Sequence, residues 1–176
     1  MMEALLKVED LCRHYPGFCL EHVSFSLAPG RIMGLIGTNG AGKSTTLKAV
    51  LHMDVPESGS VTMFQKDFYR HEKECRQRVG AVFGGIDFYP FKKLSAITAV
   101  TEKFYADWDQ EQYRRYQRLF SLDEGKKFRD LSNGMKVKYL LALALSHHAG
   151  LLILDEPTSG LDRYPGRNCC GSSGKS

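Results

Sequence analysis

A glycine-rich run near the start of the chain constrains the fold more than any other feature. Residues 37–45 read GTNGAGKST, which fits the phosphate-loop pattern G-x-x-x-x-G-K-[ST] at Gly37, Gly42, Lys43 and Ser44. Glycines let backbone N–H groups turn toward a polyphosphate without Cβ clashes, and a following helix directs its positive dipole end at the same anion. The run therefore predicts a strand–loop–helix unit that binds a nucleoside triphosphate.

The flanking residues fit this context. Residues 31–36 (RIMGLI) predict a buried strand that enters the loop, and residues 45–51 predict a helix that leaves it. We expect Lys43 to reach the β- and γ-phosphates and the Ser44 hydroxyl to hold Mg²⁺. The alternative is a glycine-rich turn that happens to precede a lysine, and the strand–helix context argues against it.

Composition bounds the class of protein. The chain has 176 residues, 43% hydrophobic and 25% charged, which is ordinary for a soluble globular domain. No apolar run is long enough to span a bilayer and no secretory signal begins the chain, so we expect a cytosolic location. The net charge of +4 is spread along the chain, which favours solvated helix faces over a nucleic-acid patch. The five cysteines are odd in number and lack C-x-x-C spacing, which favours reduced, structurally incidental thiols.

The apolar pattern predicts two kinds of structure along the chain. Alternation or short apolar runs predict strands at residues 5–11, 20–27, 58–64 and 79–83, the last of them a central parallel strand. Between residues 86 and 148 the pattern changes to helices, which we place at residues 94–105, 109–120 and 135–148. The apolar residues 151–154 then predict a return to the sheet as a fully buried strand.

Two carboxylates end this last strand. Asp155 and Glu156 would lie at the carboxyl edge of an open α/β sheet, where ligands bind. We expect Asp155 to support Mg²⁺ through its water shell and Glu156 to polarise the water that attacks the γ-phosphate. A solvated acidic pair at a strand end is the alternative, which the phosphate loop before it and the sequence PTSGLD after it disfavour.

A short polar run precedes the helix that leads into that strand. Residues 131–135 read LSNGM, which predicts Ser132 as the N-cap of the helix that follows. A helix N-terminus with a serine and a glycine can form a second anion site. Taken alone, the residues favour an ordinary N-cap without a ligand.

Three motifs in order, GTNGAGKST, LSNGM and LLILDEPTSGLD, resemble the nucleotide-binding subunits of ATP-binding-cassette (ABC) transporters. The resemblance extends from about residue 5 to residue 162. It implies an α/β phosphate-loop NTPase core with a mostly parallel sheet, an antiparallel β subdomain and a helical insert. We accordingly predict an ABC-type ATP-binding domain at residues 1–162, with its helical subdomain at about residues 86–148.

The resemblance also implies roles for individual residues. Tyr15 resembles the aromatic residue that stacks on adenine, and Asp162 resembles the acidic residue of a loop at the dimer interface. Ser132 and Gly134 resemble the signature that reaches the γ-phosphate held by the partner subunit. Glu156 is the implied catalytic residue, and Ser44 and Asp155 are the implied Mg²⁺ contacts. The implied ATP contacts of the loop are Gly37, Asn39, Gly40, Ala41, Gly42, Lys43, Ser44 and Thr45.

The function implied is ATP hydrolysis, with the nucleotide sandwiched head to tail between two such subunits, homomeric or heteromeric. Such subunits pair with a membrane-spanning permease and lie in the cytoplasm at the inner face of the membrane. The helical insert most resembles exporter ATPases of Gram-positive bacteria. Two alternatives remain: an inactive nucleotide-binding remnant of a disrupted gene, and a soluble ABC ATPase outside transport.

Three departures from the family pattern matter. The signature is LSNGM rather than LSGGQ, and Gly84 or Gly85 stands where a glutamine that binds Mg²⁺ is expected. The pattern stops at Asp162, and no switch histidine follows it. We therefore expect the C-terminal part of the domain to be missing and hydrolysis by this chain to be very slow. Residues 163–176, rich in Gly, Ser and Cys, are predicted to be a disordered tail outside the domain.

Overall fold

The computed structural model describes residues 3–83 and 89–155. Six strands and five α-helices are interspersed along the described residues, and the strands form two sheets. The strands are β1 Leu6–Tyr15, β2 Phe18–Leu27, β3 Ser58–Met63, β4 Lys66–Asp67, β5 Val79–Phe83 and β6 Leu151–Asp155. The helices are α1 Lys43–Val50, α2 Glu72–Arg76, α3 Leu94–Phe104, α4 Gln110–Leu119 and α5 Asn133–Leu145, with a short 3₁₀ helix at Phe128–Asp130.

The larger sheet is antiparallel, with strand order β2-β1-β3-β4. Its alternating pattern confirms the predicted strands at residues 5–11, 20–27 and 58–64, although β1 and β2 extend further into their shared hairpin. β1 carries a bulge at Asp10, whose φ is 48°. Gly59 faces this bulge with φ +97°, and a Cβ there would lie 2.6 Å from the Asp10 carbonyl oxygen, so only glycine fits.

The second sheet is a parallel pair of β5 and β6, in register from Val79–Leu151 to Phe83–Asp155. This pairing confirms that residues 79–83 form a parallel strand. The prediction that the strand is central is wrong for the described sheet, which has only two strands, because residues 31–36 add no ladder to it. The prediction that residues 151–154 are fully buried was wrong for one face of β6. Leu151 and Ile153 are buried, but Leu152 and Leu154 are each 36% exposed, because packing covers the two faces of this strand unequally.

The prediction of a buried strand at residues 31–36 is wrong for the described structure. These residues form no strand, and Ile32 and Ile36 are fully exposed. Met33–Leu35 line a cleft beside β6 but form no ladder with it. An apolar pattern predicts burial, but a strand also needs a partner that accepts its backbone hydrogen bonds, and among the described strands β6 pairs with β5 alone.

Two hydrophobic cores organise the molecule. The first joins the antiparallel sheet to α1 and the β5–β6 pair. The second lies within α3, α4 and α5 and their connections. The three predicted helices are confirmed to within a few residues at their ends. The subdomain limits at about residues 86–148 stay predictions, and the predicted tail at 163–176 lies outside the described residues. Within those residues, no helix has the length and apolarity to span a bilayer.

Candidate nucleotide site

The glycine-rich loop ends in an open helix N-terminus. Gly42 is the N-cap of α1 with φ +82°, and in the described structure no side chain caps the first N–H groups and no acidic residue lies in the first turn. A Cβ at Gly42 would lie 2.4 Å from Cζ of Phe18. The backbone conformation and the Phe18 ring therefore both require glycine here, and the N–H groups of the first turn stay available to an anion.

Lys43 follows immediately and folds back over the loop. Its Nζ donates hydrogen bonds of 2.8 Å to the carbonyl oxygens of Gly37 and Thr38. These contacts hold the ammonium group beside the loop whose N–H groups would surround a phosphate. Thr46, one turn into α1, donates from Oγ1 to the Gly42 carbonyl at 2.9 Å and stabilises the start of the helix.

The start of α1 meets the end of β6 at a pair of oxygen ligands. Ser44 Oγ donates a hydrogen bond of 2.9 Å to Asp155 Oδ1, although the two residues are 111 positions apart. A hydroxyl and a carboxylate are hard oxygen donors of the kind Mg²⁺ prefers. The residues present therefore fit a magnesium ion next to a phosphate-binding loop.

Two aromatic side chains form the wall opposite the loop. Tyr15 and Phe18, whose ring centroids are 6.2 Å apart, line one cleft with the loop residues Asn39, Gly40, Gly42, Lys43, Ser44 and Thr45. The Tyr15 hydroxyl donates to Asp54 Oδ2 at 2.8 Å, and the Arg13 guanidinium lies 5.5 Å from the centroid of its ring. Burial, and then the Asp54 carboxylate, raise the pKa of the Tyr15 phenol, so it stays a neutral donor.

Sequence reasoning missed Phe18 and Asp54. Phe18 begins β2 and packs on Gly42, and Asp54 follows α1 and orients Tyr15. Neither residue belongs to a motif with fixed spacing. The one available signal was the aromatic pair on either side of the Pro16–Gly17 turn, which brings Tyr15 and Phe18 into register across the hairpin.

The remaining predicted residues lie elsewhere or outside the described chain. Ser132 is the N-cap of α5, as predicted, and its Oγ accepts a hydrogen bond of 3.3 Å from the Met135 N–H. Ser132 and Gly134 are not among the residues that line the cleft. Glu156, Asp162 and the Gly84–Gly85 pair lie outside the described residues. Their implied roles stay predictions.

The open helix N-terminus, the lysine and the Ser44–Asp155 pair have the arrangement predicted for a phosphate-loop nucleotide site in an α/β fold. The model of the ABC transporter family matches residues 20–159, and the chain belongs to that family.

The chain is also similar to curated proteins that are named as ATP-binding proteins of transport or export. The chain is 32% identical over 164 residues to the bacitracin transport ATP-binding protein of Bacillus licheniformis, covering 92% of this chain and 54% of the relative. It is 35% identical over 153 residues to the Nod factor export ATP-binding protein I of Burkholderia pseudomallei (strain 1710b), covering 81% of this chain and 49% of the relative. The chain thus spans about half the length of the curated relatives it matches.

Solved structures confirm the fold class. One described as the ATP-binding subunit of an ABC transporter superposes with a TM-score of 0.78 at 29% identity, covering 90% of this chain and 68% of that chain. A second, an ATP-binding cassette of an ABC transporter, has a TM-score of 0.72 at 21% identity, covering 90% and 71%. The predicted combination of phosphate-loop core, antiparallel β subdomain and helices is therefore confirmed as the fold of these domains.

Proposed function

We propose that this chain binds Mg-ATP and is the ATPase subunit, or part of it, that powers an ABC exporter. The observation that carries the proposal is the 2.9 Å contact between Ser44 and Asp155, because it joins the phosphate loop to the carboxyl end of a β-strand. Lys43 supplies the charge for the phosphates and Tyr15 the face for the adenine. Glu156, adjacent to Asp155, is the proposed group that orients the attacking water.

The proposed partners follow from the family. Ser132 and Gly134 stand at the N-terminus of α5, away from the cleft, which supports a role toward the nucleotide of a second nucleotide-binding subunit. A membrane-spanning permease is the other proposed partner, which places the subunit in the cytoplasm at the inner face of the membrane. The word export in the name of the Burkholderia relative supports the exporter direction.

Calorimetric titration with ATP, with Mg²⁺ and with a chelator, tests the binding proposal. We expect Mg²⁺ to tighten ATP binding by the parent chain and Asp155→Asn to lose that gain, because the carboxylate charge toward the ion is gone. The matched control is Asp107→Asn, an exposed acid between α3 and α4, which should behave like the parent. Mg²⁺-independent binding by the parent, or parental behaviour of Asp155→Asn, would contradict the proposal.

A second experiment tests hydrolysis separately. In the assembled transporter, Glu156→Gln should abolish ATP turnover while leaving ATP binding in place, since a neutral amide cannot accept the water's proton. Full turnover by this variant would remove Glu156 from the mechanism without affecting the binding proposal.

A further inference from the structure

The β1–β2 hairpin places three metal-ligating side chains on one exposed face. His14 and Cys19 are direct partners across the two strands, and Glu21 lies two residues beyond Cys19, on the same face of β2. A ring nitrogen of His14, Cys19 Sγ and a carboxylate oxygen of Glu21 all lie within 4.8 Å of one another. The cluster therefore follows from strand pairing and has no recognisable spacing in sequence.

A fourth side chain orients the histidine. His14 Nδ1 lies 2.6 Å from Glu57 Oε2, and the His14 backbone N–H donates to Glu57 Oε1 at 3.2 Å. Metal-binding histidines usually bind the ion with one ring nitrogen and donate from the other to a carboxylate. Glu57 is placed to make that outer contact, which leaves the lone pair of Nε2 for a metal ion.

We propose that His14, Cys19 and Glu21 form a binding site for a transition-metal ion of the Zn²⁺ type. Imidazole, thiolate and carboxylate are the three zinc ligands of proteins, and three of them leave a fourth tetrahedral position for water. Ligand atoms around a tetrahedral zinc lie about 3.2–3.8 Å apart, so atoms within 4.8 Å of one another reach that geometry by approaching by at most about 1.6 Å. Exposed side chains can make that movement at small cost.

The charges around the cluster suit a cation. Glu21 and Glu57 contribute two carboxylates, and zinc binding would deprotonate Cys19. Arg13 is a nearby positive charge, with Nη1 3.9 Å from Glu57 Oε1 and its guanidinium over the Tyr15 ring. Because Tyr15 and Phe18 lie between His14 and Cys19 in the chain, a bound ion would cross-link the two strands that carry the aromatic wall of the cleft.

Metal titration of the reduced protein tests this site. Zn²⁺ affinity is measured by competition with a chromophoric chelator, and Co²⁺ binding by its thiolate charge-transfer absorption. All proteins carry serine at Cys169 and Cys170, so that those thiols cannot contribute. Nucleotide is left out, which makes the result independent of ATP binding and of the proposed function.

We expect a single Zn²⁺ equivalent and a Co²⁺–thiolate band in the parent. Cys19→Ser should abolish the band and weaken Zn²⁺ binding by more than about tenfold, and Glu57→Gln should weaken it by about tenfold while keeping the band. Zn²⁺ should also raise the melting temperature of the parent but not of Cys19→Ser, because the ion binds only the folded hairpin.

Cys12→Ser is the matched control. Cys12 lies on the same strand as His14, but its Sγ accepts the His22 N–H at 3.2 Å and it is not in the cluster. This variant should keep the parental band and affinity. Absence of the thiolate band in the parent, or equal Zn²⁺ affinities for Cys19→Ser and the parent, would overturn the proposal.

Discussion

At the residue scale, the candidate nucleotide site consists mainly of backbone groups and a few short side chains, with Lys43 as the flexible exception. Its ammonium group is held by the carbonyl oxygens of Gly37 and Thr38. A phosphate in the loop would offer the N–H groups of this ammonium a charged acceptor. Hydrogen bonds to a charged acceptor are stronger than those to neutral carbonyls. The lysine is thus positioned for an exchange of partners.

Lys43→Ala should therefore weaken ATP binding by about 1.5–3 kcal/mol, the usual contribution of a hydrogen bond to a charged group. Calorimetric titration of the two proteins measures the difference. Lys48→Ala removes an exposed lysine from the same helix and should bind ATP like the parent. Equal affinities of the parent and Lys43→Ala would show that the loop backbone alone holds the phosphates.

His147 should make the stability of the fold depend on pH. It stacks on Tyr105 at 3.7 Å between centroids, and its Nδ1 has no hydrogen-bond partner within the described part of the chain. Burial lowers the pKa of His147, and it outweighs the hydrogen bonds to the backbone of Gln77 and of His147 itself, which act in the opposite direction. The unfolded chain then binds a proton that the folded chain does not, so stability should fall as the pH drops from the ordinary histidine pKa of about 6.5 toward the lowered value.

His147→Phe keeps a stacked ring without a titrating nitrogen. Urea unfolding between pH 7 and pH 5 should show a shallower loss of stability than in the parent. His22→Asn, which replaces an exposed histidine at a left-handed position that asparagine tolerates, should keep the parental slope. A parental slope for His147→Phe would be evidence against a buried neutral imidazole.

At the element scale, one cluster of hydroxyl groups joins the three helices of the second core. Thr98 Oγ1 of α3 lies 2.9 Å from the hydroxyl of Tyr113 in α4 and 3.1 Å from that of Tyr139 in α5. Tyr139 also donates to the Leu94 carbonyl at 3.1 Å, and Tyr113 to Glu124 at 3.1 Å. Burial raises the pKa of both tyrosines, so both hydroxyls keep their protons and can donate.

Tyr139→Phe should destabilise the protein by about 1–3 kcal/mol, because it removes the buried hydrogen bonds that the Tyr139 hydroxyl makes with the Leu94 carbonyl and the Thr98 hydroxyl. Urea unfolding at neutral pH measures the loss. Tyr116→Phe is the matched control, because the Tyr116 hydroxyl only accepts a hydrogen bond from the partly exposed side chain of Gln112. This variant should change the free energy of unfolding by less than about 0.5 kcal/mol. Equal effects of the two variants would mean that the hydroxyl cluster does not hold these helices together.

At the scale of the whole molecule, the sequence prediction and the structure disagree at residues 31–36. Its apolar pattern predicts a buried strand, whereas Ile36 is 99% exposed and Ile153 of β6 is 6% exposed. The same substitution at these two isoleucines tests which description holds in solution.

In the 176-residue chain, Ile153→Ala should cost about 2–5 kcal/mol because it leaves a cavity in the first core. Ile36→Ala should change stability by less than about 0.5 kcal/mol, since an exposed side chain loses no packing. Chemical denaturation of both variants provides the values. A loss at Ile36 comparable to that at Ile153 would support the buried strand that the sequence predicts.

Much of the local structure was readable from the sequence because its signals are local. Alternating apolar residues predicted β1 and β2, and a turn that enters a short strand predicted β3. Helical patterns predicted α3, α4 and α5, and a serine before a helix predicted the Ser132 cap. The phosphate-loop motif predicted the start of α1, because the residues between Gly37 and Ser44 must all meet one ligand. Each of these signals lies within about a dozen residues of the chain.

Tertiary structure decided the contacts between residues that no local pattern connects. Asp155 reaches Ser44 across 111 positions, Phe18 covers Gly42 from a neighbouring hairpin, and Asp54 orients Tyr15. The hairpin also brings His14 and Cys19 face to face without a metal-binding spacing. The prediction of a strand at residues 31–36 was wrong for the same reason, since it depended on contacts with distant parts of the chain. Side-chain pattern measures a tendency to be buried, but burial and strand formation both depend on partners that only the folded chain supplies.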